Sequence, residues 1–209
     1  MSDTYYVKTF GGLEITNDNV TVNIVELFGK QLVNLLQVLL FHSEKPVQKD
    51  ELIDILWPES KNPSSALKFS IFRLRAELNE IEFFKDKEVI VTTRKGYILN
   101  PNLDWNIDFV ELEKAYNQIN DGSELLDEKE FKTARKIFRL YQGRFYASPS
   151  QLHWILQKQE IFRQMYVKTM MRTSCYLYTQ KRYDEMMLMN YQAVLIEPKI
   201  GRASCRERV

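Results

Sequence analysis

Cysteine and histidine are scarce in this 209-residue chain, with two of each. Cys175 and Cys205 are spaced neither for a metal site nor for a small disulfide framework, and a cytosol would keep both as thiols. His42 and His153 stand alone. The first is expected to cap a helix C-terminus, and the second, beside Trp154, to pack or lie at the surface. No GxxxxGKS, GxxxxGKT, GxGxxG or HExxH pattern occurs, so phosphate-loop, dinucleotide and zinc-peptidase chemistry lack their usual residues. The acidic run Asp127-Glu128 with Glu130 suits a helix N-terminus rather than acid–base work. The expectation is a protein that is not an enzyme, with no cofactor and no metal.

Long apolar runs are also missing. No uninterrupted stretch approaches the roughly 18 residues that span a bilayer, and MSDTYYVKTF lacks a basic flank followed by an apolar run. The chain is therefore expected to be cytoplasmic with no membrane partner, and it carries no low-complexity segment. What is present is an ordinary folded-protein balance, 44% hydrophobic and 27% charged, in a length sufficient for two cores. The last ten residues, IGRASCRERV, resemble the in-frame translation of a sequencing-adapter oligonucleotide, so 200–209 are set aside as a non-native tail. They hold Arg202, Arg206 and Arg208 against Glu207, which takes the formal charge from +1 for the whole chain to −1 for residues 1–199. The natural chain is expected to continue past Lys199.

Hydrophobic spacing divides residues 1–199 into a mixed part and a helical part. Two extended runs, Tyr5 to Thr16 and Val20 to Val25, flank the turn-forming Asn17-Asp18-Asn19 and predict a small antiparallel sheet. After Gly29, Leu32, Leu35, Leu36, Leu39 and Leu40 recur at helical spacing, and Pro46 ends that helix. Gln48 to Leu56 predicts a second helix, stopped by Trp57-Pro58. Pro63, a natural first-turn residue, opens a third over Ser64 to Asn79. Its apolar stripe is Leu67, Ile71, Leu74 and Leu78, which leaves Ser65, Phe69, Phe72 and Ala76 on the opposite face and Lys68, Arg73 and Arg75 at the flanks. Val89 to Thr93 and Tyr97 to Leu99, joined by Arg94-Lys95-Gly96, predict a hairpin with a basic turn.

NPNLDW, residues 100–105, reads as the boundary. Beyond it, helices are expected over Asp108 to Asn120, Glu128 to Tyr141, Ser150 to about Thr179 and Tyr183 to Ile196. Tyr183-Asp184-Glu185 through Ala193 to Glu197-Pro198 has the spacing of the second helix of a tetratricopeptide-type repeat, with a weaker copy at Glu128-Lys129-Glu130-Phe131 and Ala134. Such helix pairs bury their faces only by stacking on neighbours. The expected fold is an α+β winged helix-turn-helix domain (1–100) followed by an all-α tetratricopeptide-like helical repeat domain (106–199).

A helix pair followed by a basic hairpin is the geometry of winged helix-turn-helix DNA binding. The groove needs an outward helix face for base edges, basic flanks for phosphates and a wing for the adjacent backbone. Phe69 and Phe72 are large and apolar on a face turned from the core. Two uses fit them: contact with thymine methyls and sugars beside Arg73 on guanine or phosphate, or packing on the helical part. Thr92, Thr93, Arg94 and Lys95 would form the wing. Residues 1–100 carry a formal −2, whereas residues 60–79 carry +3, so positive charge is local, and few phosphate contacts and a second protomer are expected. A protein-interaction module, in which the repeats hold a partner and the winged helix does not touch DNA, is the competing reading.

The ordered set FGGLEI, DELIDILWPE, SSALKFSIFRLRAEL and VIVTTRKGYIL resembles the OmpR-type winged helix of the Streptomyces antibiotic regulatory protein family. IDFVELEKAY, LYQGRFYASPSQLHWI and the stretch to Pro198 are similar to that family's bacterial transcriptional activator domain. The resemblance implies a transcriptional activator on promoter direct repeats that engages RNA polymerase and sits as a homodimer on double-stranded DNA. It implies base-facing positions at Ser65, Phe69 and Arg73, phosphate-side positions at Ser70 and Arg75, and a wing arginine at Arg94. Phe69 and Phe72 depart from the commoner polar choices, which leaves the base preference open.

Overall fold

A computed structural model describes residues 4–119, 126–147 and 152–198. The expected tail at 200–209, the expected helix start at Ser150 and Gln151, and the expected helix end at Asn120 lie outside those residues. The chain forms two compact units. One contains residues 4–7 and 13–106 with Leu152, and the other residues 8–12, 107–119, 126–147 and 153–198.

The first unit opens with β1 (Thr4–Lys8), β2 (Glu14–Asn17) and β3 (Val20–Asn23), followed by a one-turn helix α1 (Ile24–Leu27). β2 and β3 pair antiparallel with Ile15 opposite Val22, around a turn in which Asp18 takes a positive φ of 50°. Two expectations are corrected here. The extended run Tyr5 to Thr16 is two strands interrupted at Gly11-Gly12, and Val20 to Val25 stops at Asn23, whose side chain accepts from the Val25 amide and starts a helical turn. The segment read as a linker also contributes β6 (Asp104–Ile107), which lies beside β1 in a sheet ordered β3-β2-β1-β6. Its Trp105 packs 5.3 Å from buried Tyr5, which stacks on Phe84 at 4.9 Å.

Three helices follow, α2 (Lys30–Phe41), α3 (Lys49–Leu56) and α4 (Pro63–Asn79), then the hairpin β4 (Ile90–Thr92) and β5 (Tyr97–Leu99). Leu35, Leu36 and Leu39 of α2, Leu52 of α3 and Leu67, Ile71, Leu74 and Leu78 of α4 are all buried, so the period-3.6 stripes meet as the spacing requires. This is a winged helix-turn-helix.

The second unit is helical: α5 (Asp108–Ile119), α6 (Glu128–Leu140), α7 (His153–Thr179) and α8 (Tyr183–Ile196). Asp127 and Glu130 form a reciprocal capping box at the start of α6, the role expected for that acidic run. The core is aromatic, with Phe10, Phe109, Tyr141, Phe145, Phe162 and Tyr166 in mutual contact. Residues 8–12 enter this unit through Asp108, whose buried carboxylate accepts from the Thr9 amide at 2.7 Å, the Thr9 hydroxyl at 2.5 Å and the Phe10 amide at 3.1 Å. Gly11 has φ +84° and a Cβ there would sit 2.9 Å from the Gln142 carbonyl, so the crossing needs glycine. Among the described residues, no helix is long and apolar enough to cross a membrane.

Candidate nucleic-acid interface

α4 has the makings of a recognition helix because its two faces differ so sharply. Pro63 fixes φ at the first helical position, where no amide donor is lost, and the leucine stripe holds the inner face to the core. Opposite that stripe, Ser65, Lys68, Phe69, Phe72, Arg73 and Ala76 are all exposed, Phe69 to 61% and Phe72 to 71%. Two phenylalanines at that exposure, on the face opposite the buried stripe, form a patch that folding does not use.

Arg73 is not loose above this patch. Its guanidinium lies 6.0 Å from the centre of the Phe69 ring and its Nη2 donates to Glu77 Oε1 at 3.3 Å. Phe69, Arg73 and Glu77 are spaced i, i+4, i+8, so one helix edge carries an aromatic ring, a cation and an anion in sequence.

Arg75 behaves differently. Its Nε and Nη2 donate to the Ile90 carbonyl at 3.0 and 2.8 Å, and Nη2 also donates to Thr92 Oγ1 at 2.8 Å, with Glu88 4.0 Å away. The side chain therefore ties α4 to the first strand of the hairpin. Ser70 is buried at 7% exposure. The two positions assigned to the phosphate side by resemblance are thus turned from the open face: Ser70 and Arg75 fall on opposite edges of the buried Leu67, Ile71, Leu74 and Leu78 stripe, and it is the edge of Arg75 that meets β4.

The wing is anchored from its other strand. Val47, just before α3, exchanges backbone hydrogen bonds with Tyr97 at 2.8 and 3.0 Å. Gly96, at φ +151°, brings its backbone so close that a Cβ would fall 1.8 Å from the Val47 carbonyl oxygen. Thr93 closes the turn: its amide donates to the Gly96 carbonyl at 2.8 Å, and its hydroxyl accepts from the Lys95 and Gly96 amides. Arg94 and Lys95 are exposed at the tip and, among the described residues, meet no carboxylate.

The structure therefore leaves Ser65, Lys68, Phe69, Phe72 and Arg73 on one open helix face and Arg94 and Lys95 at an open hairpin tip. Ser70, Arg75, Thr92 and Thr93 serve the internal framework. The sequence reading missed Glu77 as the partner of Arg73, although the i, i+4 spacing signals it, and missed Val47, whose link to Tyr97 has no local signature.

Residues 25–99 match the family described as transcriptional regulatory protein, C terminal, a span that includes every residue of this candidate interface. No curated protein matches the chain. Among solved structures, Mycobacterium tuberculosis EmbR in complex with a low-affinity phosphopeptide aligns with a TM-score of 0.66 at 16% identity, over 94% of this chain and 51% of that one. The chain thus spans about half the length of EmbR, and the likeness shows a shared fold, a winged helix followed by helices. The DNA-binding domain of E. coli CadC aligns with a TM-score of 0.35 at 24% identity, over 47% of this chain and 92% of that domain.

Proposed function

We propose that this chain is a sequence-specific DNA-binding transcription regulator, an activator, that lays α4 in the major groove and sets the Arg94-Lys95 wing on the neighbouring backbone. The observation that carries the reading is the open face of α4: two exposed phenylalanines and a braced arginine on a helix whose other side is fully occupied by the core. The family match over residues 25–99 supports the same use. Phosphate attraction comes from Lys68 at the helix flank and from Arg94 and Lys95, a short list that predicts a modest salt dependence.

In this reading the helical unit is a tetratricopeptide-like activator domain that pairs protomers on direct repeats and presents the promoter complex to RNA polymerase. Met171 and Tyr178 of α7 and Met187 and Tyr191 of α8 are exposed, which is apolar surface suited to a protein contact. Sedimentation of the full chain with and without a bound duplex tests the pairing, and a strict monomer on DNA overturns it.

A second reading, a protein-interaction module without DNA contact, draws on an open groove of about 890 Å³ in the helical unit. Lys132, Arg135 and Arg139 lie on one wall, and Leu188, Leu195 and Ile196 on the other. Mobility-shift titration against promoter fragments separates the readings: Arg94→Ala and Phe72→Ser weaken a DNA shift if the first holds, and no fragment shifts at all if the second holds.

A further inference from the structure

Resting on the proposed DNA binding, we infer that the Phe69–Arg73–Glu77 edge of α4 is a composite reader of a thymine neighbouring a guanine, with Arg73 directed to the guanine base rather than to phosphate. The argument starts from Glu77. A carboxylate 3.3 Å from the guanidinium makes the position unfavourable for a phosphate, which would face an anion as well as the cation. A base edge carries no such charge, and guanine offers O6 and N7 as a paired acceptor that matches the arginine fork. The same carboxylate can accept from the N4 amino group of a cytosine, so Glu77 is compatible with a neighbouring G·C pair and hostile to the backbone.

Phe69 supplies the other half. The ring is 61% exposed, the Arg73 guanidinium lies 6.0 Å from its centre, and neither is drawn into the core. Residues i and i+4 on a helix are separated by about 6 Å along the axis. Arg73 leans back over Phe69, which places cation and ring within about two base-pair steps of 3.4 Å each. The one apolar feature that distinguishes a base pair in the major groove is the thymine C5-methyl group, and a phenylalanine has no hydrogen bond to offer any other. Phe72, 71% exposed on the same open face, extends the apolar surface toward further methyls.

The test uses the full chain. Duplexes are selected from a random pool, and the tightest is resynthesised with deoxyuridine for thymine, which deletes only the C5-methyl, or with 7-deazaguanine for guanine, which deletes only N7. Loss of one methyl contact is expected to weaken wild-type binding about fourfold, and loss of N7 by about fivefold or more. With deoxyuridine placed at one thymine at a time, Phe69→Ala is expected to abolish the effect at a single thymine and keep both the deazaguanine effect and any methyl effect owed to Phe72. Arg73→Ala is expected to abolish the deazaguanine effect and keep the methyl effects. Tight selective binding indifferent to both analogues overturns this inference and leaves the DNA-binding proposal standing. So does an Arg73→Ala variant that weakens all duplexes equally with a lower salt slope, the mark of a phosphate contact. Failure to bind any duplex overturns both.

Discussion

Arg75 offers a sharp comparison between what the family resemblance implies and what the structure does with the residue. The perturbation is Arg75→Ala. It removes three N–H···O contacts, two to the Ile90 carbonyl and one to the Thr92 hydroxyl. Hydrogen bonds from charged donors are worth about 1.5–3 kcal/mol each when well shielded. Here two share one acceptor and the side chain is 37% exposed, which places the total at about 2 kcal/mol after screening. Urea unfolding should therefore show a lower midpoint at unchanged m-value. DNA binding should weaken because β4 is less firmly held, yet the slope of log K against log salt should stay where it was, since no phosphate contact is lost. Lys68→Ala and Arg94→Ala should do the opposite, leaving stability within about 0.5 kcal/mol and lowering the slope by about one. Arg75→Lys distinguishes the cases again, because it keeps the charge but cannot make all three bonds. An Arg75→Ala protein with unaltered stability and a slope reduced by about one would refute the reasoning and restore Arg75 to the phosphate side.

Other expectations can be checked on the same material. Gly96→Ala forces a Cβ to 1.8 Å from the Val47 carbonyl, so the Val47–Tyr97 pairing must break, at a cost of about 3 kcal/mol in chemical unfolding. Phe72→Ser, at a position 71% exposed, should leave stability within about 0.5 kcal/mol while lowering affinity for DNA. Asp108→Ala strands the Thr9 and Phe10 donors and should cost about 3 kcal/mol or more, with Asp108→Asn milder because an acceptor remains. Burial outweighs those donors and raises the Asp108 pKa. Its contribution to stability is therefore full below the unfolded-state value near 3.8 and declines as pH rises through the folded-state value, a slope that Asp108→Asn removes. Glu111 has the reverse sign: the Lys136 hydrogen bond lowers its pKa, so its contribution is present above about 4.5 and fades as pH falls.

The helices of the first unit were legible from their apolar stripes, whereas α8, which buries only Ala193, was legible from its repeat spacing and the following Pro198. Leu67, Ile71, Leu74 and Leu78 fix the orientation of α4, and with it the exposure of Phe69 and Phe72, from spacing alone. What escaped was non-local. β6 hides in a Pro-Asn-rich stretch, and only pairing with β1 makes Asp104–Ile107 a strand. The transfer of residues 8–12 to the helical unit depends on Asp108, about a hundred positions away, and on Gly11 admitting the Gln142 carbonyl. Arg75 looked like its neighbour Arg73, and the two differ because one meets the edge of β4 and the other meets only its own helix.

The outward face of α4 is tested most directly by replacing Phe72 with the photo-crosslinker p-benzoylphenylalanine and irradiating the full chain on its selected duplex. Mass spectrometry is expected to find the label joined to a base of the major groove, with the yield falling when an unlabelled duplex competes. A label joined only to protein, with the bound duplex left unmarked, would contradict the account.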